Sequence, residues 1–392
     1  MLQDQFLKYL AKTTPAPLGL PIVKAAGSYL WDSSGKAYLD FVAGVSACSI
    51  GHCHPRVVEA IKTQSERYLH VMVYGEFAQQ PVVDLAALLL KQLPQNHEKI
   101  YLTNSGTEAI EGALKLAKRA TGRTGFVAAK NSYHGSTQGA LSVTGYEPIK
   151  RAYRPLLNDI QFIPFNAEEA LDKITTTTAA VILETIQGGA GFIVPTHRYL
   201  AKVKARCEAV GALLILDEIQ PGFGRTGTLF GFEHFKVTPD ILVMGKGMGG
   251  GVPIGAFTAS TALMDCFTHA PALGHITTFG GHPLIAAAAK ATLEEILESG
   301  IMDTIAKKEQ LFREALNHPK IRQINGKGLM LAPIFKTPEV AQQVIHKALE
   351  RGLIVFGLLW EKRAVRISPP LTISEAEILK GCKIITDILD EL

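Results

Sequence analysis

The segment Ala212-Leu213-Leu214-Ile215-Leu216-Asp217 is an uninterrupted apolar run that ends in an acidic residue. Continuous apolar runs are typical of strands covered on both faces, as in parallel sheets packed between helices. A carboxylate at the end of a buried strand is costly unless a cation or a hydrogen-bond donor meets it. Asp217 is therefore either a capping or turn residue, or part of a polar site at the edge of a sheet.

Other segments of the chain have the same apolar character and are predicted to join this strand in one sheet. They are Lys99–Thr103, Gly125–Ala129, Ile160–Phe165, Ala179–Glu184 and Ile241–Gly245. Helix-like segments such as Val82–Gln92 and Thr107–Arg119 lie between several of them. This alternation predicts an α/β fold with a mostly parallel central sheet and helices on both faces. Ligands bind beyond the carboxyl ends of such strands, so the polar residues found there are candidate site residues.

The pattern changes along the chain of 392 residues, a length that favours two or three domains. From about residue 283 long helices alternate with short strand-like runs, which predicts a smaller C-terminal α+β domain at 283–392. Residues 51–282 would form the large domain. Residues 1–50 would be an N-terminal segment that joins the small domain.

Composition and charge exclude several classes of protein. Apolar residues make up 47% and charged residues 19%, a globular balance, and the net charge of +4 gives no electrostatic footprint for a nucleic-acid partner. No apolar run of about 18 residues exists, so no membrane span or membrane partner is expected. The N-terminus lacks the pattern of a secretory signal. The few scattered cysteines indicate a reducing compartment, and we expect a cytoplasmic protein; they are Cys48, Cys53, Cys207, Cys266 and Cys382.

Two further strand ends carry polar groups of a different kind. Ser105-Gly106-Thr107 follows the run that ends at Thr103 and opens a helix, and a helix N-terminus is suited to a phosphate. The alternative is a capping box, since Glu108 stands three residues after Ser105. Lys246 follows the run that ends at Gly245 and lies among glycines. It is either a solvated loop residue or a partly desolvated amine whose lowered pKa favours reaction with a carbonyl.

Together, these strand ends match the needs of one cofactor. Pyridoxal phosphate needs a helix N-terminus for its phosphate, a carboxylate for its ring nitrogen and a lysine for its aldehyde. A nicotinamide or flavin fingerprint is not found in an early βαβ unit. The cluster His52-Cys53-His54 could suggest a metal, but no fourth ligand is evident and Pro55 fits the start of a helix. We therefore expect no metal.

Blocks along nearly the whole chain, from about Tyr29 to Leu389, resemble the class III pyridoxal-phosphate aminotransferases of fold type I. This group includes the acetylornithine, ornithine and 4-aminobutyrate aminotransferases. The similar blocks are Tyr29-Leu30-Trp31-Asp32, Tyr38-Leu39-Asp40-Phe41, Gly51-His52-Cys53-His54-Pro55, Asn104-Ser105-Gly106-Thr107-Glu108-Ala109, Leu216-Asp217-Glu218-Ile219-Gln220-Pro221-Gly222-Phe223-Gly224-Arg225-Thr226-Gly227, Gly245-Lys246, Thr277-Thr278-Phe279-Gly280-Gly281 and Val365-Arg366-Ile367-Ser368-Pro369-Pro370-Leu371.

The resemblance implies a role for each matching residue. Lys246 would condense with the cofactor aldehyde and later move a proton at the substrate carbon, and Asp217 would keep the ring nitrogen protonated. These two are the expected catalytic residues. Arg366 would bind the substrate α-carboxylate. The remaining cofactor contacts would be Ser105, Gly106 and Thr107 at the phosphate, Ile219 and Tyr133 on the two ring faces, Gln220 at the ring hydroxyl, His134 and Glu184 nearby, and Thr278 from the partner subunit of an obligatory homodimer.

Three positions depart from the pattern of this family. Ser136 stands where relatives that use 2-oxoglutarate often have an arginine for a distal carboxylate. Gly189 stands where relatives have a glutamate that pairs with the α-carboxylate arginine, so Arg366 should be permanently free. Val45 stands where the ornithine enzymes often have a tyrosine, and this difference argues against an enzyme that is specific for ornithine.

The resemblance implies an aminotransferase of ping-pong type. The donor would be an acetylornithine-like or ornithine-like amino acid and the acceptor a 2-oxo acid such as 2-oxoglutarate. The alternatives are an amino-acid racemase or epimerase that uses the same cofactor, and an aminotransferase with another donor such as 4-aminobutyrate.

Overall fold

The computed structural model describes residues 2–72, 76–196 and 198–392. Its strands are β1 Ile22–Ala26, β2 Tyr29–Asp32, β3 Ala37–Asp40, β4 Lys99–Thr103, β5 Gly125–Ala129, β6 Ile160–Ile163, β7 Thr178–Glu184, β8 Leu213–Asp217, β9 Ile241–Gly245, β10 Gly255–Ala259, β11 Ile321–Lys327, β12 Met330–Phe335, β13 Leu353–Ile354, β14 Phe356–Gly357 and β15 Val365–Arg366.

The α-helical segments are α1 Leu2–Tyr9, α2 Ala43–Ser46, α3 Pro55–Ser65, α4 Gln80–Leu90, α5 Gly106–Thr121, α6 Gln138–Val143, α7 Tyr199–Val210, α8 Thr261–Met264, α9 Pro283–Glu298, α10 Ile305–Ala315, α11 Pro338–Glu350 and α12 Glu375–Asp390. Short 3-10 helices occupy Glu147–Ile149, Arg151–Tyr153, Glu168–Lys173, Gly231–Phe235, Lys246–Gly249, Asp265–Phe267 and Ile301–Thr304.

The central sheet has the strand order β4-β10-β9-β8-β7-β5-β6. The pairs β5·β6, β5·β7, β7·β8 and β8·β9 are parallel, and β10 runs antiparallel to both of its neighbours. The predicted mostly parallel sheet is therefore confirmed. Its strands end in Thr103, Ala129, Glu184, Asp217 and Gly245 at one edge, and the site forms at this edge.

Both faces of the sheet are covered, as the continuous apolar runs predict. Leu214 and Leu216 of β8 belong to the hydrophobic cluster that includes α4, α7 and α9. Ile215 belongs to the cluster on the opposite face, which includes α5. Successive side chains of a strand alternate between faces, so all three are buried only because helices lie on both sides. None of the helices in the described ranges is long and apolar enough to cross a membrane.

The N- and C-terminal parts of the chain pack together. The strands β1, β2 and β3 form antiparallel pairs, and β13 adds to β3 in parallel. Leu39 and Phe41 join a second hydrophobic cluster with residues of α10, α11 and α12. Residues of α9 instead pack in the cluster with α4 and α7. The division of the chain at residue 283 stays a prediction.

Candidate active site

A cavity of about 680 Å³ opens at the carboxyl ends of the central strands. Most of the residues predicted for the site line it, although they come from distant parts of the chain. These are Gly106, Thr107, Tyr133, His134, Glu184, Asp217, Ile219, Gln220, Lys246 and Arg366. Ser105 and Thr278 do not line the cavity, and Thr278 is exposed on the surface of the chain.

Asp217, the last residue of β8, is buried and held from two sides. The Nδ1 atom of His134 lies 2.8 Å from Asp217 Oδ2, and the backbone N–H of Ile219 donates to Asp217 Oδ1 at 3.0 Å. His134 is itself fixed, because its backbone N–H donates to the Thr144 hydroxyl at 3.1 Å. These contacts orient the carboxylate of Asp217, and its burial makes it a strong partner for a cationic ring nitrogen.

Lys246 begins the 3-10 helix that follows β9, and its φ of 43° lies in the left-handed region that side-chain-bearing residues rarely adopt. Burial lowers the pKa of Lys246 to about 8, with a further lowering from the positive charge of Arg366. Asp217 and Glu184 act in the opposite direction. A much larger fraction of this amine is therefore uncharged near neutral pH than for an ordinary lysine, which suits it as a nucleophile and base.

The N-terminus of α5 faces the cavity with Gly106 and Thr107. Ser105 is the N-cap, and its hydroxyl accepts from the backbone N–H of Glu108 at 3.4 Å. The capping-box interpretation was only half right, because the Glu108 carboxylate accepts from the backbone N–H of Asn104 at 2.8 Å and not from that of Ser105. The first amides of a helix have no partner within it, so this end can bind an anion.

Sequence reasoning missed Gly135 as a site residue. Gly135 lines the cavity with a φ of 139°, and a Cβ there would lie 2.2 Å from Thr107 Oγ1. The Oγ1 atoms of Thr107 and Thr137 lie 2.7 Å apart. Only a glycine lets the loop after β5 approach the start of α5 this closely. The available signal was its place directly after Tyr133-His134 at a strand end.

Glu184 ends β7 directly opposite Asp217 in the parallel register. Its carboxylate accepts from the backbone N–H groups of Gly188 at 2.9 Å and Tyr133 at 3.2 Å. Burial raises the pKa of Glu184 to about 7, although His134 partly offsets this. Glu184 can therefore exchange a proton near neutral pH beside Lys246 and Asp217.

Arg366 is 7% exposed on β15 and lies with its guanidinium carbon 6.0 Å from the centre of the Phe192 ring. Within the part of the chain that the structure describes, it has no carboxylate partner, and its buried Nε has no hydrogen-bond partner. Burial lowers its pKa to about 10. At Gly189 a Cβ would lie 2.8 Å from Nε1 of Trp360, so the indole occupies the space of a side chain there.

These residues fit pyridoxal phosphate. The amine, the oriented carboxylate and the helix N-terminus line one cavity, and at Gly106 a Cβ would lie 2.6 Å from Ile219 Cδ1. A side chain at position 106 would therefore collide with Ile219, which lines the same cavity. Over the described ranges, no group of three or more histidine, cysteine, aspartate or glutamate side chains could hold a metal ion. His52 instead pairs with Asp40, with 2.7 Å between Nε2 and Oδ2.

Comparison with known proteins agrees with this geometry. The family model described as Aminotransferase class-III matches residues 9–389. The acetylornithine aminotransferase of Caldanaerobacter subterraneus subsp. tengcongensis is 40% identical over 383 residues, which cover 95% of this chain and 95% of that protein. The crystal structure of the ornithine aminotransferase of Toxoplasma gondii ME49 is similar with a TM-score of 0.90 at 30% identity, covering 99% of this chain and 95% of that one.

A second structure of the T. gondii ornithine aminotransferase has pyridoxal phosphate at partial occupancy in its active site; it is 30% identical with a TM-score of 0.90 and covers 99% of this chain and 93% of that one. The match over nearly the whole chain, together with the cavity described above, leads to one conclusion. This chain belongs to the class III aminotransferases, fold type I transaminases that use pyridoxal phosphate as cofactor.

Proposed function

We propose that this transaminase moves an amino group from an acetylornithine-like or ornithine-like amino acid to a 2-oxo acid by a ping-pong mechanism. The observation that carries the proposal is the convergence of Lys246, Asp217 and Arg366 on one cavity. An amine, a carboxylate and a guanidinium at one place suit the cofactor aldehyde, the cofactor ring nitrogen and a substrate carboxylate. The donor follows from the similarity to acetylornithine and ornithine aminotransferases.

When bound, pyridoxal phosphate supplies an aldehyde for the amine and a ring that withdraws electrons from the substrate carbon. We assign to Lys246 the covalent attachment and the transfer of the proton at the substrate carbon, since its lowered pKa leaves Nζ able to accept a proton. Asp217, fixed by His134, would hold a proton on the ring nitrogen. The N–H groups of Gly106 and Thr107 would bind the phosphate.

The remaining predicted contacts enclose the ring. Ile219 and Tyr133 line the cavity and would cover its two faces. Gln220 donates from Nε2 to the Ser46 hydroxyl at 3.4 Å, and its amide oxygen is available for the ring hydroxyl. Ser105 supports the phosphate site indirectly in this arrangement, because its hydroxyl caps α5.

Replacing the guanidinium with Arg366→Met is expected to lower kcat/KM for α-amino acid donors by about 30- to 5,000-fold. A carboxylate that loses its buried cationic partner forfeits roughly 2–5 kcal/mol. Simple amine donors, which have no carboxylate, should change far less. Steady-state rates with matched amino acids and amines measure how far kcat/KM falls for each donor type. The control is Arg363→Met, since Arg363 lies outside the cavity and pairs with Glu361 at 2.7 Å. Equal losses for both donor types would contradict the assignment.

Position 136 tests the recognition of the acceptor. Ser136 lines the cavity with its Oγ 3.3 Å from the Tyr133 hydroxyl. Ser136→Arg should lower KM for 2-oxoglutarate by about tenfold, because a new cation can pair with the distal carboxylate. KM for pyruvate, which lacks that carboxylate, should not fall. Ser136→Ala is the matched control. An unchanged KM for 2-oxoglutarate would mean that another cation already binds this group.

The pKa of Lys246 predicts a pH dependence of cofactor capture. Only the uncharged amine condenses with an aldehyde, so the rate at which the cofactor-free protein becomes covalently loaded should rise through about pH 8. Arg366→Met removes a positive neighbour that lowers this pKa, so the midpoint should move to higher pH. Borohydride reduction followed by mass spectrometry measures the loading, and Arg363→Met is the control. A midpoint that does not move in Arg366→Met would refute the coupling.

We further propose a homodimer with shared active sites, in which Thr278 contacts the cofactor of the other subunit. Thr278 lies beside strongly exposed apolar side chains, with Ile276 62% and Phe279 53% exposed. Phe77 is 62% exposed, and it lines a surface pocket that shares Gly281 with the pocket lined by Phe279. Exposed apolar patches of this kind are typical of interfaces. We also propose a cytoplasmic location, which the presence of five free cysteines supports.

A further inference from the structure

A second cavity of about 290 Å³ adjoins the active-site cavity. Val45 and Phe356 line both cavities and stand between them. The rest of the second cavity, here called the side chamber, is mostly apolar, with Leu20, Leu30 and Leu349 among its walls. A water-sized group occupies roughly 30 Å³, so the side chamber has room for a chain of about eight to ten heavy atoms.

The wall between the cavities is built from an unusual turn. Ala43, Gly44, Val45 and Ser46 have φ values of 50°, 60°, 61° and 66°, a left-handed turn that is strained for a β-branched residue. Asp40 Oδ1 holds its start by accepting from the backbone N–H groups of Val42 at 2.7 Å and Ala43 at 3.0 Å. The turn places Val45 at the junction, and local strain of this kind persists only where surrounding contacts enforce it.

The charges at the side chamber select against charged occupants. Asp40 and His52 line it as a pair, with Asp40 Oδ2 2.7 Å from His52 Nε2. The remaining titratable lining residue, His346, is exposed. Asp40 is already satisfied by the turn amides and by His52, so neither member of the pair is free to bind an incoming charge. An ammonium or carboxylate placed among the leucines would be desolvated without a partner.

We propose that the side chamber is a substrate subsite for the uncharged, largely apolar distal part of the amino donor. The inference rests on the proposed function and narrows its donor class: amino acids with alkyl or acylated side chains are preferred, and ornithine and other amino acids whose side chains end in a charge are disfavoured. With the α-carboxylate at Arg366, a long side chain passes between Val45 and Phe356 into the side chamber.

The test is a series of straight-chain donors with one fixed 2-oxo acid: alanine, 2-aminobutanoate, norvaline, norleucine and 2-aminooctanoate. The value of kcat/KM should rise about fourfold for each methylene group that enters the side chamber. N6-acetyllysine should exceed lysine by at least tenfold. A flat or falling dependence on length would overturn the proposal, and it is also the result expected if a second copy of the chain fills the side chamber.

Leu349 lines the side chamber and not the catalytic cavity. Leu349→Trp should lower the ratio of kcat/KM for 2-aminooctanoate to that for alanine by at least tenfold, whereas Leu349→Ala should move the preferred donor to longer chains. Leu379→Trp on α12 is the matched control, because Leu379 is 48% exposed and lines neither cavity. The proposal fails if the Leu349 variants lower the rates with both donors equally, or if Leu379→Trp changes the ratio as much.

A second readout separates this proposal from the proposed function. Straight-chain alkanoates from acetate to octanoate should raise the thermal unfolding midpoint increasingly with length, and Leu349→Trp should abolish the increase. If no donor transfers its amino group, the proposed function fails. The shift of the thermal unfolding midpoint with octanoate then tests the side chamber independently. If alanine reacts but chain length has no effect in either assay, the side chamber is refuted and the function stands.

Discussion

Lys246→Ala is expected to abolish amino transfer, with a loss of at least about 10⁴-fold in kcat. Two contributions disappear together, because the same Nζ serves as covalent anchor and as proton carrier at the substrate carbon. No neighbouring group can take over both tasks, since the other ionisable residues of the cavity are the phenol of Tyr133, two carboxylates, a histidine paired with Asp217 and the guanidinium of Arg366, none of which is a primary amine. Initial rates with saturating cofactor give the size of the loss.

The matched control for this variant is Lys130→Ala. Lys130 also follows a parallel strand at this edge of the sheet, but it is exposed and does not line the cavity. Its removal should leave kcat within twofold. After borohydride reduction, the peptide that contains position 246 should carry the mass of the cofactor in the wild type and in Lys130→Ala only. Turnover above one per cent of wild type in Lys246→Ala would refute the assigned role.

Much of the fold was predictable because buried parallel strands are recorded in the sequence as continuous apolar runs. The predicted bounds of β4, β5 and β9 agree with the structure. The predicted strand at Ile160–Phe165 is wrong at its end, since β6 stops at Ile163, before Pro164, which has no N–H to donate to a neighbouring strand.

The strand β10 was not predicted at all. Its sequence, Gly255-Ala256-Phe257-Thr258-Ala259, has no distinctive apolar run, and it is held by pairing on both sides with β4 and β9. Such a strand depends on its place in the sheet more than on local propensity, which sequence reasoning on one segment cannot reproduce.

The candidate site was predictable where chemistry follows a strand end. Asp217, Glu184 and Lys246 each end or follow a predicted strand, and the parallel topology brings them to one edge. The cavity walls that come from other parts of the chain were not predictable in this way. Phe356 and Leu359 come from the C-terminal part of the chain, far in sequence from these strand ends. The left-handed turn at Val45 depends on Asp40, whose role no local pattern records.

Asp217→Asn is expected to lower kcat by about 10²- to 10⁴-fold while the protein keeps its fold. Asparagine preserves the shape and can still accept from the backbone N–H of Ile219, but it has no negative charge to hold a proton on the ring nitrogen. The ring then withdraws electrons poorly when the substrate carbon gives up its proton. Asp217→Glu restores the charge in a displaced position, so it should recover part of the loss. Single-turnover rates of proton removal from a deuterated donor measure this step directly.

The neighbouring carboxylate provides a matched control for Asp217. Glu218 is fully buried and accepts from the hydroxyl of Thr185 and from the backbone N–H groups of Gly231 and Phe232, but it does not line the cavity. Burial raises its pKa to about 7, although the hydrogen bonds from Thr185, Gly231 and Phe232 act in the opposite direction. Glu218→Gln therefore alters a buried carboxylate beside Asp217 in the sequence without changing the lining of the cavity. That variant should reduce kcat by less than tenfold. If Asp217→Asn loses no more than Glu218→Gln, the carboxylate of Asp217 contributes to structure only, and another group must maintain the protonated ring.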